Sequence, residues 1–257
     1  MPQRLRALSR QLVFDVGGIM QFEESQQAIE RAASVDDLLS ALKDMRDQTG
    51  VAHLVYHSVC VPAAGKENPL LVLTYDNAWV KRYTEADYFR IDPVVQASIR
   101  DFLPVDWVTV DHHSAQARHF FQEAERHGVG CHGMTIPIRG PVGEHALFTI
   151  NANVSDERWH RWRFSHLRDL HLLAYYFHDR AMRITGLRYV STLRPLARRE
   201  KQCLEEIMRG QTPGQIAASL KLSISAVHAY LRAARRKLEC ATLPEAIGKA
   251  MRLQLLC

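Results

Sequence analysis

The stretch from residue 224 to residue 238 reads as a helix with two unlike sides. Val227, Leu231, Ala234 and Leu238 recur at intervals of four, three and four, which stacks them on one buried face. The opposite side presents Ser225, His228, Arg232, Arg235 and Arg236, with His228 and Arg232 one turn apart. This helix starts near Ser223 or Ser225. Before it, Thr212 caps a shorter helix, with Pro213 at its first position and Gln215 three residues after the cap, a capping-box pattern. Ile216, Ala217 and Leu220 form that helix's apolar side. Earlier still, residues 198–209 carry Leu204, Ile207 and Met208 at helical spacing and stop at Gly210. A small capped helix, a short turn and a helix that is apolar on one side and arginine-rich on the other make a helix-turn-helix pattern. Such a third helix enters the major groove of double-stranded DNA. Its N-terminal half reads base edges and its later arginines hold phosphates. Ser225, His228 and Arg232 fall in the reading part, with base contact assigned to His228 and Arg232. Arg235, Arg236 and Lys237 fall in the phosphate-holding part.

The competing reading is a helical bundle with a solvated basic face, and the charge distribution weighs against it. The formal net charge is only +5, but residues 194–257 hold 12 Lys or Arg against 5 Glu, giving +7. Residues 1–193 hold 21 basic and 23 acidic side chains, giving −2. One end of the chain is therefore built to meet a polyanion and the other is not.

A chain of 257 residues, 47% hydrophobic and 24% charged, fits one or two globular domains and excludes a disordered tail or a disulfide knot. No run approaches the ~18 apolar residues of a membrane span, so no membrane association is expected. The basic start, Met1 to Arg6, is followed by Asp15, Gly17 and Gly18 rather than an apolar run, so a secretory signal is not expected and the cytoplasm is. Five widely spaced cysteines without C-x-x-C fit reduced thiols. Cys131-His132 and His112-His113 are sequence neighbours, and His166, His171 and His178 are not spaced as a ligand pair, so no metal site is expected. G-x-S-x-G, P-loop and G-x-G-x-x-G patterns are absent, and nothing argues for an enzyme.

The first 50 residues read as helices, with Val35, Leu38, Leu39, Leu42 and Met45 on one face. Strand-like runs follow at residues 52–59, 70–74, 134–138 and 146–150, the last two joined by a hairpin turn at Gly140-Pro141-Val142-Gly143. Ser155 then opens a long helix to about Ile184, anchored by Trp159, Trp162, Phe164, Leu167, Leu170, Leu173 and Phe177. Helices flanking hairpin-linked strands indicate an α+β domain, an α-β-α sandwich with an antiparallel sheet, over residues 1–184. Residues 185–193 form a linker, and residues 194–257 an all-α helix-turn-helix domain.

Two series of residues carry a family resemblance. Leu196-Ala197-Arg198-Arg199-Glu200, Leu204, Gly210, Thr212, Gln215-Ile216-Ala217, Leu220, Ser223, Val227, Lys237-Leu238 and Ala246-Ile247 together resemble the DNA-binding domain of LuxR-type transcription regulators. The copy departs from that pattern at Ala197 (Thr is usual), Gln211 (Lys), Gln215 (Glu), Ala226 (Thr), Tyr230 (His) and Leu243 (Arg). Trp79, Tyr83, Asp92-Pro93, Trp107 and Gly133 resemble the acyl-homoserine lactone-binding domain of the same regulators. The resemblance covers nearly the whole chain after the first twenty or so residues.

It implies an acyl-homoserine lactone as effector, with no cofactor. A buried indole N–H is only a donor, so Trp79 is assigned to the lactone carbonyl; an ionised carboxylate is only an acceptor, so Asp92 is assigned to the ligand N–H. Tyr75 and Thr149 stand where the family places hydroxyls around the acyl carbonyl. Tyr83 and Trp107 wall the pocket, Pro93 shapes the backbone after Asp92, and Gly133 permits a close backbone approach. Val94, Val95, His112, Phe120, Ala124, His145 and Leu147 match tail positions, and the bulk of Val94, Val95 and Leu147 implies an unoxidised or compact, branched or aromatic acyl group. With no partners for Trp79, Tyr83 and Asp92 evident inside the protein, the unliganded chain is expected to fold poorly. The family further implies a homodimer joined through the long helix, a two-fold operator, and transcription activation through RNA polymerase. The competing readings are another small molecule in the same fold, or a regulator that has lost DNA binding and acts by heterodimerising.

Overall fold

A computed structural model of the chain describes residues 21–61, 66–141, 143–187, 194–253 and 255–256. The basic N-terminal segment and residues 188–193 of the expected linker lie outside them. The described residues divide into two compact units, one built from residues up to 187 and the other from residue 194 on.

The first unit opens with helices α1 (Phe22–Arg31) and α2 (Val35–Thr49). Ser34 and Asp37 cap α2 reciprocally: the Asp37 N–H donates to Ser34 Oγ at 3.1 Å and the Ser34 N–H to Asp37 Oδ2 at 2.9 Å. Gly50, at φ 68°, ends it in a left-handed turn. Strands β1 (His53–Val61) and β2 (Lys66–Leu73) follow, then helices α3 (Asn77–Glu85) and α4 (Pro93–Ser98). The two-residue β3 (Val105–Asp106) leads to helix α5 (Ala115–Arg126), the hairpin β4 (His132–Arg139) and β5 (His145–Ala152), and the long helix α6 (Asp156–Ile184). Ser155 caps α6, and the Gly140 N–H closes the β4–β5 hairpin on the Glu144 carbonyl at 2.8 Å.

The strands form one antiparallel sheet in the order β2-β1-β5-β4-β3. Successive strand residues face opposite sides, so the sheet has two apolar faces. Leu54 and Tyr56 of β1, Val72 of β2, Met134, Ile136 and Ile138 of β4, and Phe148 and Ile150 of β5 pack against α1, α2 and α6, through Ile29, Leu38, Leu42, Met45, Leu170, Leu173 and Phe177. The other face is covered by α3, α4 and α5, which bring Trp79, Val94, Phe120 and Ala124 together with Tyr88 and Trp107. The α-β-α sandwich expected from sequence is the architecture of this unit.

One anchor of α6 was misplaced. Phe164 is 92% exposed, whereas Trp159, Trp162, Leu170, Leu173 and Phe177 are buried. Trp162 already fills the core-facing position on that turn, donating its indole N–H to the Thr49 carbonyl at 2.9 Å, and Phe164, two residues on, is rotated away.

The second unit is helical: α7 (Arg198–Met208), α8 (Pro213–Leu220), α9 (Ile224–Lys237) and α10 (Leu243–Arg252). Thr212 and Gln215 form the expected capping box, and Lys221, at φ 54°, ends α8. Ser223 is the α9 cap, its Oγ accepting the Ala226 N–H at 3.1 Å. Leu204, Ile216, Val227, Leu231, Ala234, Leu238 and Ala246 make the core. No helix among the described residues is long and apolar enough to cross a membrane.

Candidate functional site

Between the sheet and α3, α4 and α5 lies a cavity of about 380 Å³. Strand parity builds its floor. Leu73 pairs with Val55, Val55 with Thr149 and Thr149 with Thr135, forming one row across four strands, and Leu71, His57 and Leu147 form the next. The helices supply the walls. Tyr75, Trp79, Tyr83, Asp92, Val94, Val95, Trp107, Phe120, Leu147 and Thr149 all line the cavity, as do His112, Ala124 and Gly133; His145 and Pro93 do not.

Asp92 is the polar centre. It caps α4, its Oδ1 accepting the Val94 and Val95 N–H groups at 2.8 and 3.2 Å, while Pro93 takes the first helical position, which needs no N–H. Its Oδ2 accepts the Tyr83 hydroxyl at 2.8 Å. Burial raises its pKa to about 6 against the opposing pull of those three donors. The expectation that these groups lack internal partners is therefore corrected for Asp92 and Tyr83. The helix start that presents the carboxylate also satisfies it, and the neighbouring phenol completes the set.

Trp79 is 2% exposed, on α3, among the rings of Tyr83, Tyr88, Phe120 and His127. Its indole N–H has no acceptor among the described residues. Tyr75 follows β2, and its hydroxyl accepts from Asn151 Nδ2 at 2.7 Å. Burial, with the Asp92 charge nearby, pushes the Tyr75 phenol well above its usual pKa and keeps it protonated. Thr149 Oγ1 lies 3.0 Å from Thr135 Oγ1, which accepts the Trp107 indole N–H at 3.1 Å. The role given to Gly133 changes in kind. A Cβ there would overlap the Trp107 indole, so the missing side chain admits an aromatic wall onto the sheet rather than a backbone.

Val55, His57, Leu71, Leu73, Phe89, Phe121 and Val129 also line the cavity and were not singled out from sequence. For the strand residues the signal was period two. Once Thr149 is assigned to the cavity side, Leu147 on β5, Val55 and His57 on β1, and Leu71 and Leu73 on β2 fall on the same face. Phe89 sits on a single 3-10 turn, where no period selects it; Phe121 stands on α5 at helical spacing from Ala117 and Ala124, and that period was its signal. Outside the cavity, Glu123 braces α5 to α3. It accepts from Arg82 Nε at 2.6 Å and from the Tyr88 hydroxyl, and the Arg82 hydrogen bond above all holds its pKa down to about 2.

In the second unit the face of α9 turned to solvent carries Ser225, His228, Arg232 and Arg236, with Arg235 half-buried beside it. Ile224, in the first turn, is exposed on the same helix and was not anticipated. Lys237 does not fit the phosphate-contact assignment. Its Nζ is 2.8 Å from Glu200 Oε2 and donates to the Pro195 carbonyl at 3.1 Å, tying the end of α9 to the start of α7. Glu200 also accepts the Ala197 N–H at 2.7 Å, which keeps half of a capping box although Ala197 has no side-chain oxygen to supply the rest. Among the described residues no group of three His, Cys, Asp or Glu could hold a metal ion.

Comparison with known proteins assigns the two units. Residues 34–181 match the family model described as an autoinducer binding domain, and residues 194–250 that of bacterial regulatory proteins of the luxR family. The transcriptional activator protein RaiR of Rhizobium etli is 47% identical over 201 residues, which is 78% of this chain and 83% of RaiR. The transcriptional activator protein VanR of Vibrio anguillarum is 28% identical over 228 residues, 88% of this chain and 93% of VanR. The crystal structure of Escherichia coli SdiA shares the fold with a TM-score of 0.63 at 17% identity, covering 92% of this chain and 98% of SdiA. The chain belongs to the luxR family of bacterial regulatory proteins, transcription regulators rather than enzymes, and carries an autoinducer-binding domain ahead of its helix-turn-helix domain.

Proposed function

We propose that this chain is a cytoplasmic quorum-sensing activator that binds an N-acyl-homoserine lactone in the sheet-side cavity and, as a homodimer, binds a two-fold promoter site to recruit RNA polymerase. The observation that carries the ligand class is the pairing of Asp92 with Trp79. A buried carboxylate still able to accept and an indole N–H without an acceptor among the described residues line one apolar cavity. An acyl-homoserine lactone offers the matching set: an amide N–H for Asp92, a lactone carbonyl for Trp79, an acyl carbonyl for the Tyr75 and Thr149 hydroxyls, and an apolar tail for Val94, Val95, Phe120 and Leu147. Tyr83 and Trp107 hold the walls. The activator role rests on the descriptions of RaiR and VanR. Homodimerisation is supported by exposed Phe164 and Tyr175, which lie three turns apart on one side of α6.

The exposed basic face of α9 supports DNA binding, with His228 and Arg232, and Ser225 beside them, at base edges and Arg235 and Arg236 on phosphates. The test is mass spectrometry of organic extracts of the purified protein, followed by footprinting of the loaded protein on genomic fragments. Recovery of an intact acyl-homoserine lactone and a protected two-fold site is the expected result. A different small molecule in the extract overturns the ligand class. A loaded protein that protects no site overturns DNA binding and favours action by heterodimerisation.

A further inference from the structure

We infer that two buried side chains outside the ligand's own contacts, Thr135 and Asn151, preset the Thr149 and Tyr75 hydroxyls as hydrogen-bond donors aimed at one acceptor of the ligand, the acyl carbonyl. This rests on the acyl-homoserine lactone reading and deepens it.

Donor and acceptor capacity sets the direction of each hydrogen bond here. The Trp107 indole N–H can only donate, so Thr135 Oγ1, 3.1 Å away, accepts from it. Thr135 is fully buried, and its own proton has one acceptor within reach among the described residues, Thr149 Oγ1 at 3.0 Å. Thr149 therefore receives a hydrogen bond from the sheet side and keeps its own proton for the cavity it lines. Two residues along β5 and on the same face, buried Asn151 gives its Nδ2–H to the Tyr75 hydroxyl at 2.7 Å. Tyr75 is thereby also an acceptor toward the protein and a donor toward the cavity. Its phenol stays protonated because burial and the Asp92 charge both oppose ionisation. Tyr83 is the contrast. Its proton goes to Asp92 Oδ2 at 2.8 Å, so it offers the ligand no such donor.

Two donors fixed in direction before the ligand arrives select for a strong acceptor and lose no hydroxyl rotor freedom on binding. Trp107 thus acts twice, as an apolar wall and as the origin of the chain that ends at Thr149. Thr135 and Asn151 are positioning residues, since neither is placed against the ligand.

The experiment uses the full chain and a panel from N-butanoyl- to N-dodecanoyl-homoserine lactone. The tightest member is then compared with its thioamide, which keeps the N–H and the shape but is a poor acceptor. The wild-type protein is expected to prefer the amide roughly tenfold, the worth of about one charge-free hydrogen bond at the upper end. Thr135→Val is expected to cut that preference to within about threefold, and Thr135→Ser to restore it. A purely structural role would weaken amide and thioamide equally and leave their ratio intact. Should Thr135→Val fail to fold, Asn151→Asp carries the test. Its acceptor-only side chain draws the Tyr75 proton inward and lowers the same ratio. An unchanged ratio in the variants that bind overturns the relay alone. Failure of every lactone in the panel to bind the wild-type protein overturns the ligand reading, and the relay with it.

Discussion

The Tyr83 hydroxyl donates to Asp92 Oδ2 at 2.8 Å while Asp92 Oδ1 holds the first two N–H groups of α4. One carboxylate thus joins α3 to α4 and faces the cavity. Its pKa of about 6, raised by burial, makes the site sensitive to pH in a definite direction. A ligand N–H favours the ionised form, so lactone affinity is expected to rise roughly tenfold from pH 5 to pH 7, by isothermal titration. Asp92→Asn is expected to flatten that profile and to weaken binding about tenfold to a hundredfold at pH 7.

Stability of the unliganded protein should move the opposite way through this group. A carboxyl whose folded pKa lies above its ordinary value stabilises fully below about pH 4 and loses that contribution as pH rises through 6. Glu123 and Asp111, both held near 2, stay ionised throughout that window. Burial depresses the pKa of His53, His145 and His171, a contribution of the other sign, but it is common to both proteins. The melting-temperature difference between wild type and Asp92→Asn therefore isolates Asp92. The variant is expected to gain on wild type between pH 5 and pH 7, and a gap independent of pH would contradict the assignment.

Gly133→Ala forces a methyl group into the Trp107 indole. Overpacking of this kind costs about 1–3 kcal/mol. The sensory unit should melt several degrees lower and bind ligand more weakly, while the helix-turn-helix unit keeps its own transition in calorimetry.

Arg236→Ala should lower DNA affinity on every sequence and reduce the slope of log affinity against log salt by about one, for a lost phosphate contact, whereas Arg232→Ala should cost about 1–3 kcal/mol on the operator alone and relax its sequence preference. Lys237→Met should leave that slope unchanged. Its ammonium is engaged by Glu200 and the Pro195 carbonyl, so the expected loss is about 1–3 kcal/mol of stability in the second unit. Salt titrations of an operator fragment, paired with thermal melts, separate the two classes.

Phe164→Glu should convert the proposed dimer to a monomer in sedimentation, and because the ring is 92% exposed the melting temperature of the sensory unit should lose only its dependence on protein concentration. A dimer that survives would move the interface off this side of α6.

Much of this was legible because it is periodic or follows a family series. The α9 face followed from spacings of four, three and four, and the sheet from alternating runs between turns. Trp79 and Asp92 were picked out by the family series, and both line the cavity. What was misjudged depended on partners distant in sequence. Phe164 and Trp162 are equally apolar, and only the carbonyl of Thr49 shows which points inward. Lys237 looks like a phosphate ligand until Glu200, 37 residues earlier, is seen beside it. Asp92-Pro93 carries the same cap-and-proline start as Thr212-Pro213, so its two α4 partners were within reach of the sequence; only the Tyr83 hydroxyl, nine residues earlier, needed the fold.

The alternation along β1 and β5 has an evolutionary consequence. Tyr56 and Phe148 belong to the scaffold, and their neighbours Val55, His57, Leu147 and Thr149 to the cavity. A substitution at Val55, His57, Leu147 or Thr149 can therefore reshape what the cavity holds while the scaffold-facing residues between them go on specifying the same sheet.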